Sequence, residues 1–340
     1  MREALDVLGI SAWTVLLTAA ASALASFLIL RCLLSTGLAW RIATDVPNHR
    51  SLHAKPIPRV GGWGIVPVAL AALFWHVSDT WLIAVAAAAL ALVSQIDDRR
   101  DLPARIRFAV HFGAVVALVV IWPADAPWWL LAGIGFLMLW MINLYNFMDG
   151  ADGLAGGMAL FGFGAYAVAA LATAHPSLAL AEAGTAVAGA SLGFLFLNFH
   201  PAKLFLGDAG SITLGFLAGA LGYWGWRGEV WPLWFPALVF SPFIADASIT
   251  LLKRLWRREK FWQAHREHYY QRMVRSGVGH ARTAICWYAV MLAGVVVALW
   301  ALERQTWQQW LILAAWYGVL GCCGAAVDLR WRSFQKAGVE

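Results

Sequence analysis

Charge is what this 340-residue sequence has least of: 13% of its residues are Asp, Glu, Lys or Arg, about half the roughly 25% of an ordinary soluble domain. With 61% hydrophobic residues and apolar runs of membrane-spanning length, a water-soluble globule is excluded. Cysteine is equally scarce. Cys32, Cys286, Cys322 and Cys323 all fall inside apolar stretches, which rules out a disulfide framework or a zinc-ligand spacing. Internal repeats, low-complexity segments beyond Ala-rich helices, and any stretch resembling an appended soluble domain are also missing. The first apolar run, from Ser11 to Leu34, is too long for a signal-peptide core and reads as a retained span.

What remains is a polytopic all-α membrane protein, a single integral membrane domain over residues 1–340. A helical crossing needs about 20 mainly apolar residues. About eleven such segments are found, centred near residues 22, 69, 88, 114, 137, 164, 188, 218, 241, 293 and 318. Alternating the loops places Arg41, Arg50, Lys55, Arg59, Arg99, Arg100, Arg105, Lys203, the nine basic residues from Lys253 to Arg282, Arg330, Arg332 and Lys336 on one side. Only Arg2, Arg227 and Arg304 fall on the other. Because basic loops stay in the cytoplasm, the N-terminus is expected outside and the C-terminus inside. Tryptophans such as Trp128, Trp129, Trp224 and Trp310 sit where an outer interface would anchor them.

A net charge of +6 could by itself mean nucleic acid, anionic lipid or phosphorylated substrates, and the position of the few acidic residues narrows this. Most of the informative ones share the cation-rich side, as a metal and phosphate site would require. Asp97 and Asp98 are adjacent carboxylates in the segment Gln95 to Arg107, able to organise Mg²⁺ or simply to solvate a turn. Asn143, Asn146 and Asp149 recur every three residues, along one side of a helix, and asparagines in a membrane helix are expected to face the bundle interior. Gly150 and Gly153 would allow a reversal that brings Asp152 beside Asp149. Helix capping accounts for one or two of these residues but not for four.

Asp208 lies between glycines at a helix start, where backbone N–H groups and the helix dipole favour an anion; capping by Asp208 or Ser211 explains the same pattern. In the largest loop His265, His268 and Arg272 have the spacing of one helical face. Such a face would meet a phosphate or a uracil, or rest on anionic lipid. Asp246 and Glu182 are acidic residues within apolar segments, and Asp246 draws more interest because its helix runs into that basic loop.

Taken together, these residues resemble the polyprenyl-phosphate N-acetylhexosamine-1-phosphate transferases. The resemblance rests on four ordered motifs: Pro47 to Gly62, Asp97-Asp98, the Asn-x-x-Asn-x-x-Asp-Gly-x-Asp-Gly string from Asn143 to Gly153, and Leu206 to Ser211. In place of the run of consecutive histidines found in some members, this chain has His265-x-x-His268, more like the branch that starts O-antigen or exopolysaccharide.

The resemblance implies attack of polyprenyl phosphate on a UDP-N-acetylhexosamine, with UMP released at the cytoplasmic face of a bacterial inner membrane. It implies a Mg²⁺ requirement, with Mn²⁺ as a substitute, and catalytic roles for Asp97, Asp98, Asp149 and Asp208, the metal falling to Asp208, Asp98 and Asp149. Asn48, Arg50, His53, Arg59, Arg105, Asn143, Asn146, Asp152, His265, His268 and Arg272 are the expected substrate-binding residues. The expected partners are polyprenyl phosphate, the UDP-sugar and membrane lipid, with no nucleic acid and with a homodimer left open. Two other classes compete: an intramembrane prenyltransferase built on Asp97-Asp-Arg-Arg-Asp101, and a lipid-linked-sugar flippase. The first lacks a second motif of similar form, and transporters place their polar groups near the midplane rather than at one face.

Overall fold

The computed structural model describes residues 12–47, 55–75, 77–100, 102–260 and 265–338. Its long helices are α1 (Ala12–Ser35), α3 (Gly62–Trp75), α4 (Val77–Arg100), α5 (Ala104–Ile121), α6 (Trp128–Phe147), α7 (Leu154–Ala172), α8 (Leu178–Asn198), α9 (Asp208–Arg227), α11 (Ser241–Trp256), α13 (His280–Ala301) and α14 (Thr306–Ala337). Short elements join them: α2 (Leu38–Ile42), the antiparallel pair β1 (Thr44–Asp45) and β2 (Ile57–Pro58), α10 (Trp234–Val239), and α12 (Tyr269–Met273), which runs into a π-helical turn at Val274–Val278. In lipid every backbone polar group needs an internal partner, so helices are the available answer to so apolar a sequence.

Among the described residues eight helices are long and apolar enough to cross a membrane, which makes the chain an integral membrane protein. Every predicted segment centre falls in a helix, yet three segments depart from the simple span. Helix α3 has only 14 residues. Helix α9 is not among the eight. The segment centred near residue 241 is two helices, because the chain turns at Phe240 just before Pro242 in the first turn of α11, where a proline is tolerated.

Burial separates an inner core from an outer ring. In α7 and α8 78% of the most apolar window is buried, against 17% in α1 and α5 and 11% in α14. Apolar burial cannot drive helices together when the solvent is itself apolar, so close packing of small residues does that work. Gly189 and Gly193 of α8, four apart, press on the Ala19 and Ala23 carbonyls of α1; a Cβ at Gly193 would lie 2.1 Å from the Ala23 oxygen. Gly215 likewise brings α9 against the α6 backbone, where a Cβ would lie 2.8 Å from Ile142 Cα and 2.9 Å from the Met141 oxygen.

At one face the loops are stitched together by backbone. The N–H groups of Val60 and Gly61 donate to the Phe205 carbonyl, Gly62 donates to Leu206, and Phe205 donates to Pro58. A Cβ on Gly62 would stand 2.5 Å from the Gly210 nitrogen. This close approach sets the N-termini of α3 and α9 side by side.

Candidate active site

Arg59 lies at the middle of the face that these loops form. Its guanidinium is 2.5 Å from Asp98, 3.8 Å from Asp45 and 4.0 Å from Asp208. Asp98 reaches it from the last turn of α4. Asp208 reaches it from the first turn of α9, where Gly207 turns the chain at φ 76°. Asp149 follows the end of α6 and is half-buried; it interacts electrostatically with Asp208, Arg59, Asp98 and Asp45.

Three carboxylates thus share one guanidinium within 4.0 Å, and Asp149 feels its charge. Burial, and then the charge of Asp208, push the Asp149 carboxyl well above the usual carboxylate range, with Arg59 offsetting part of the effect. For Arg59 itself burial lowers proton affinity, but Asp98, Asp208 and Asp45 outweigh it and hold the group above its ordinary value. Among the described residues Asp98 Oδ2 is buried with no hydrogen-bond partner. A buried carboxylate oxygen without a partner is costly, and hard carboxylate oxygens in excess suit a small divalent cation such as Mg²⁺. Asp98, Asp149 and Asp208 are the residues here that could hold such an ion, although their carboxylate oxygens do not all lie within 4.8 Å of one another.

Adjacent in sequence, Asp97 and Asp98 have separate partners. Asp97 accepts from the Leu102 N–H at 2.7 Å and from Arg107 at 2.8 Å. Its surroundings satisfy it. Arg105, two residues before, is exposed on α5 and forms no part of the centre among the described contacts; the guanidinium that matters there belongs to Arg107.

The Asn143 to Gly153 string is divided by the structure. Helix α6 ends at Phe147, so Asp149 does not continue the helical row. Asn143 donates to the Leu139 carbonyl of its own helix, whereas Asn146 accepts from Ser211 of α9, two residues past Ala209 and close to Asp208. Asp152 does not come beside Asp149. It turns to His200 at 2.6 Å, to the Ala202 N–H and to His280 at 3.5 Å. Among the described residues, Asp152, His200 and His280 are the group whose ligand-type atoms all lie within 4.8 Å of one another, while Asn198 ties the same turn to the following loop through Gly153 and Leu204.

The late loop differs from its expected helical face. Only Tyr269–Met273 is α-helical, and His268 is extended in front of it. The His265 and His268 rings lie 4.8 Å apart, but Arg272 pairs with Asp328 of α14 at 2.6 Å. Asp246 organises this loop from α11. Almost wholly buried, it accepts from His268 Nδ1 and from the backbone N–H groups of Tyr269 and Tyr270. Tyr270 then donates to the Phe147 carbonyl, packed so closely that a Cβ at Gly150 would be 2.2 Å from its hydroxyl. Burial, and after it the charge of His268, push His265 down to about 4, so its ring is neutral at pH 7. Asn48, Arg50 and His53 lie outside the described residues.

Sequence reasoning missed Arg107, His200, His280 and Asp328. Arg107 and His200 stand inside segments already singled out; nothing local marks Asp328, whose partners are 56 and 75 residues away.

A bundle of membrane-length helices with an acidic, arginine-centred site at one face defines a class of integral membrane proteins built to handle phosphate and cation together. Comparison with known proteins makes the class specific. The profile of glycosyl transferase family 4 matches residues 80–225, which include Asp97, Asp98, Asp149 and Asp208. The chain is 27% identical over 290 residues, 80% of each protein, to a probable undecaprenyl-phosphate N-acetylglucosaminyl 1-phosphate transferase of Bacillus subtilis (strain 168). It is 27% identical over 318 residues, 85% of each, to an undecaprenyl-phosphate alpha-N-acetylglucosaminyl 1-phosphate transferase of Yersinia pestis. A decaprenyl-phosphate N-acetylglucosaminephosphotransferase of Mycobacterium leprae (strain TN) is 27% identical over 315 residues, 78% of this chain and 79% of that one. The family profile and these relatives together support a place for the chain among the polyprenyl-phosphate hexosamine-1-phosphate transferases.

Proposed function

We propose that this protein transfers an N-acetylhexosamine-1-phosphate from a UDP-sugar to polyprenyl phosphate and releases UMP. The observation that carries the reading is the centre of Asp98, Asp149 and Asp208 around Arg59, with a buried oxygen of Asp98 left unpartnered. An oxygen of the lipid phosphate attacks the β-phosphorus of the donor. The bond from that phosphorus to the bridging oxygen breaks, and its electron pair leaves with UMP. The lipid phosphate, with a second pKa of about 6 by analogy with phosphorylated side chains, is largely dianionic at pH 7. A strong base is hardly needed, and Asp98 positions the site or accepts a residual proton.

Arg59 neutralises charge on the reacting phosphates, and the turn from Asp149 to Gly153 and the loop carrying His265 and His268 hold the donor. Mg²⁺, or Mn²⁺ in its place, held by Asp98, Asp149 and Asp208, would supply the neutralisation of diphosphate charge on which phosphoryl transfer depends. We read the chain as spanning a bacterial inner membrane eleven times, N-terminus outside, with the site on the cytoplasmic face and its product feeding O-antigen or another envelope polysaccharide. Support comes from the distribution of basic loops and the relatives' names.

The test is incubation of purified protein with short-chain polyprenyl phosphate and a panel of UDP-sugars, scored for UMP. Release that needs both substrates and a divalent cation is expected. Release from prenyl diphosphate alone would favour a prenyltransferase, and no release with any UDP-sugar would overturn the reading. Reporter fusions after Gln305 and after Lys336 should report opposite sides of the membrane; the same side for both would defeat the span count.

A further inference from the structure

Helix α14 continues past the apolar part of the bundle and, with the end of α11 and the late loop, encloses a cavity of about 600 Å³. Its walls carry Lys253, Arg257, Arg266, Arg272, Arg275 and Arg332. Two carboxylates face them, and both are engaged: Asp328 by Lys253 and Arg272, Glu267 by Arg257 and by Arg254 from outside the cavity. Arg257 is shared further with Glu259. Among the described residues Arg266, Arg275 and Arg332 make no ion pair. Arg275 instead donates to the Arg266 carbonyl and stacks over Trp331, 4.8 Å from the ring centre.

Guanidinium groups that outnumber the two engaged carboxylates repel one another, and burial together with Arg266 and Arg272 lowers the proton affinity of Arg275, with Glu267 offsetting part of it. A phosphate would relieve this, since guanidinium binds phosphate oxygens in a bidentate fork. The rim indicates where that phosphate comes from. Trp256, at the cavity edge, is 90% exposed, and Leu252 and Leu255 on the same last turns of α11 are exposed as well; Leu329 and Phe334 of α14 add to this apolar surface. A soluble anion has no use for such a border. A lipid with its phosphate among arginines and its chains against Trp and Leu has a use for both halves.

We propose that this cavity binds the phosphate of an anionic membrane lipid through Arg266, Arg275 and Arg332, apart from the Arg59 centre. The full-length protein in detergent is titrated with phosphatidylglycerol or phosphatidylcholine and bound lipid is counted by native mass spectrometry, with pyrophosphate as the soluble competitor. Preferential retention of phosphatidylglycerol is expected, weakened roughly fivefold for each arginine removed in Arg275→Gln and Arg332→Gln, both on exposed side chains. The double variant Arg275→Lys with Arg332→Lys should recover most of it, which separates lost charge from lost folding. Equal retention of the two lipids, or undiminished phosphatidylglycerol on the glutamine variants, overturns the proposal. Pyrophosphate binding without lipid retention overturns the lipid source.

Discussion

The Arg59 centre and the late loop are both polar islands at one end of an apolar bundle, and they are finished to different degrees. Asp246 in the late loop has its oxygens taken up by His268, Thr250 and two backbone N–H groups. Asp98 in the centre gives one oxygen to Arg59 and leaves the other buried without a partner among the described residues, while Asp149 is half-buried among like charges. A buried polar group fully satisfied by its own chain fixes a conformation. One left incomplete holds a place for something that arrives.

The largest expected effect breaks that contrast inside a single dipeptide. Asp98→Asn should lose at least ~100-fold in kcat, the lower end of a positioning or acid–base contribution, with the protein still folded in detergent. Asp97→Asn, whose carboxylate is already held by Leu102 and Arg107, should lose less. Equal losses would show that both carboxylates belong to the centre.

Next in size is Asp246→Asn. An amide places a donor where one of the two backbone N–H groups points, at a cost of about 1–3 kcal/mol. We expect a KM for the UDP-sugar raised by roughly tenfold and faster proteolysis between α11 and α13, with kcat less affected. A collapsed kcat at unchanged KM would move the late loop into the reacting centre.

Asp328→Asn tests the outer support of the same loop. Its pairs with Arg272 and Lys253 are partly exposed, and such pairs contribute up to about 1 kcal/mol. A change in donor KM of no more than about fivefold should follow, and a loss as large as that of Asp246→Asn would make α14 an equal partner in holding the loop.

A pH profile sharpens the comparison further. His265 is held near 4 when folded and returns to about 6.5 when unfolded. Between these values the unfolded chain binds the extra proton, so the stability contributed by the neutral ring is complete above pH 6.5 and is lost as pH falls toward 4. Melting temperatures across that range should show a slope that His265→Asn reduces. An unchanged slope would assign it to other groups. The smallest effect is expected from Arg105→Gln, exposed beside the centre without a described contact to it: turnover within about twofold of the parent.

Much of the site could be read from sequence because its chemistry sits in short strings. Asp98, Asp149 and Asp208 were each visible as carboxylates beside glycines or at span ends, where a lipid-embedded chain has little other reason to place charge. Neighbours on a helix point about 100° apart, so unequal roles for Asp97 and Asp98, with Asp98 the closer, are already an expectation of the sequence; that Leu102 and Arg107 take up Asp97 is supplied by the fold. Asp152 was assigned to Asp149 by local reversal, but His200 and His280, 48 and 128 residues away, took it instead. Arg272 was read from an i+7 spacing on a helix that forms only from Tyr269 onward.

The sequence by itself determined that this chain is a helical membrane protein, because hydropathy over a span and the need to satisfy every backbone group are properties of consecutive residues. It also placed the reactive residue types at one end of the bundle. Tertiary structure alone decided which carboxylates converge on Arg59, which are retired into ion pairs, and that α14 braces the late loop. Those outcomes depend on the packing of glycine faces such as Gly62 against Gly210 and Gly193 against Ala23, contacts between residues far apart in the chain whose geometry no local pattern records.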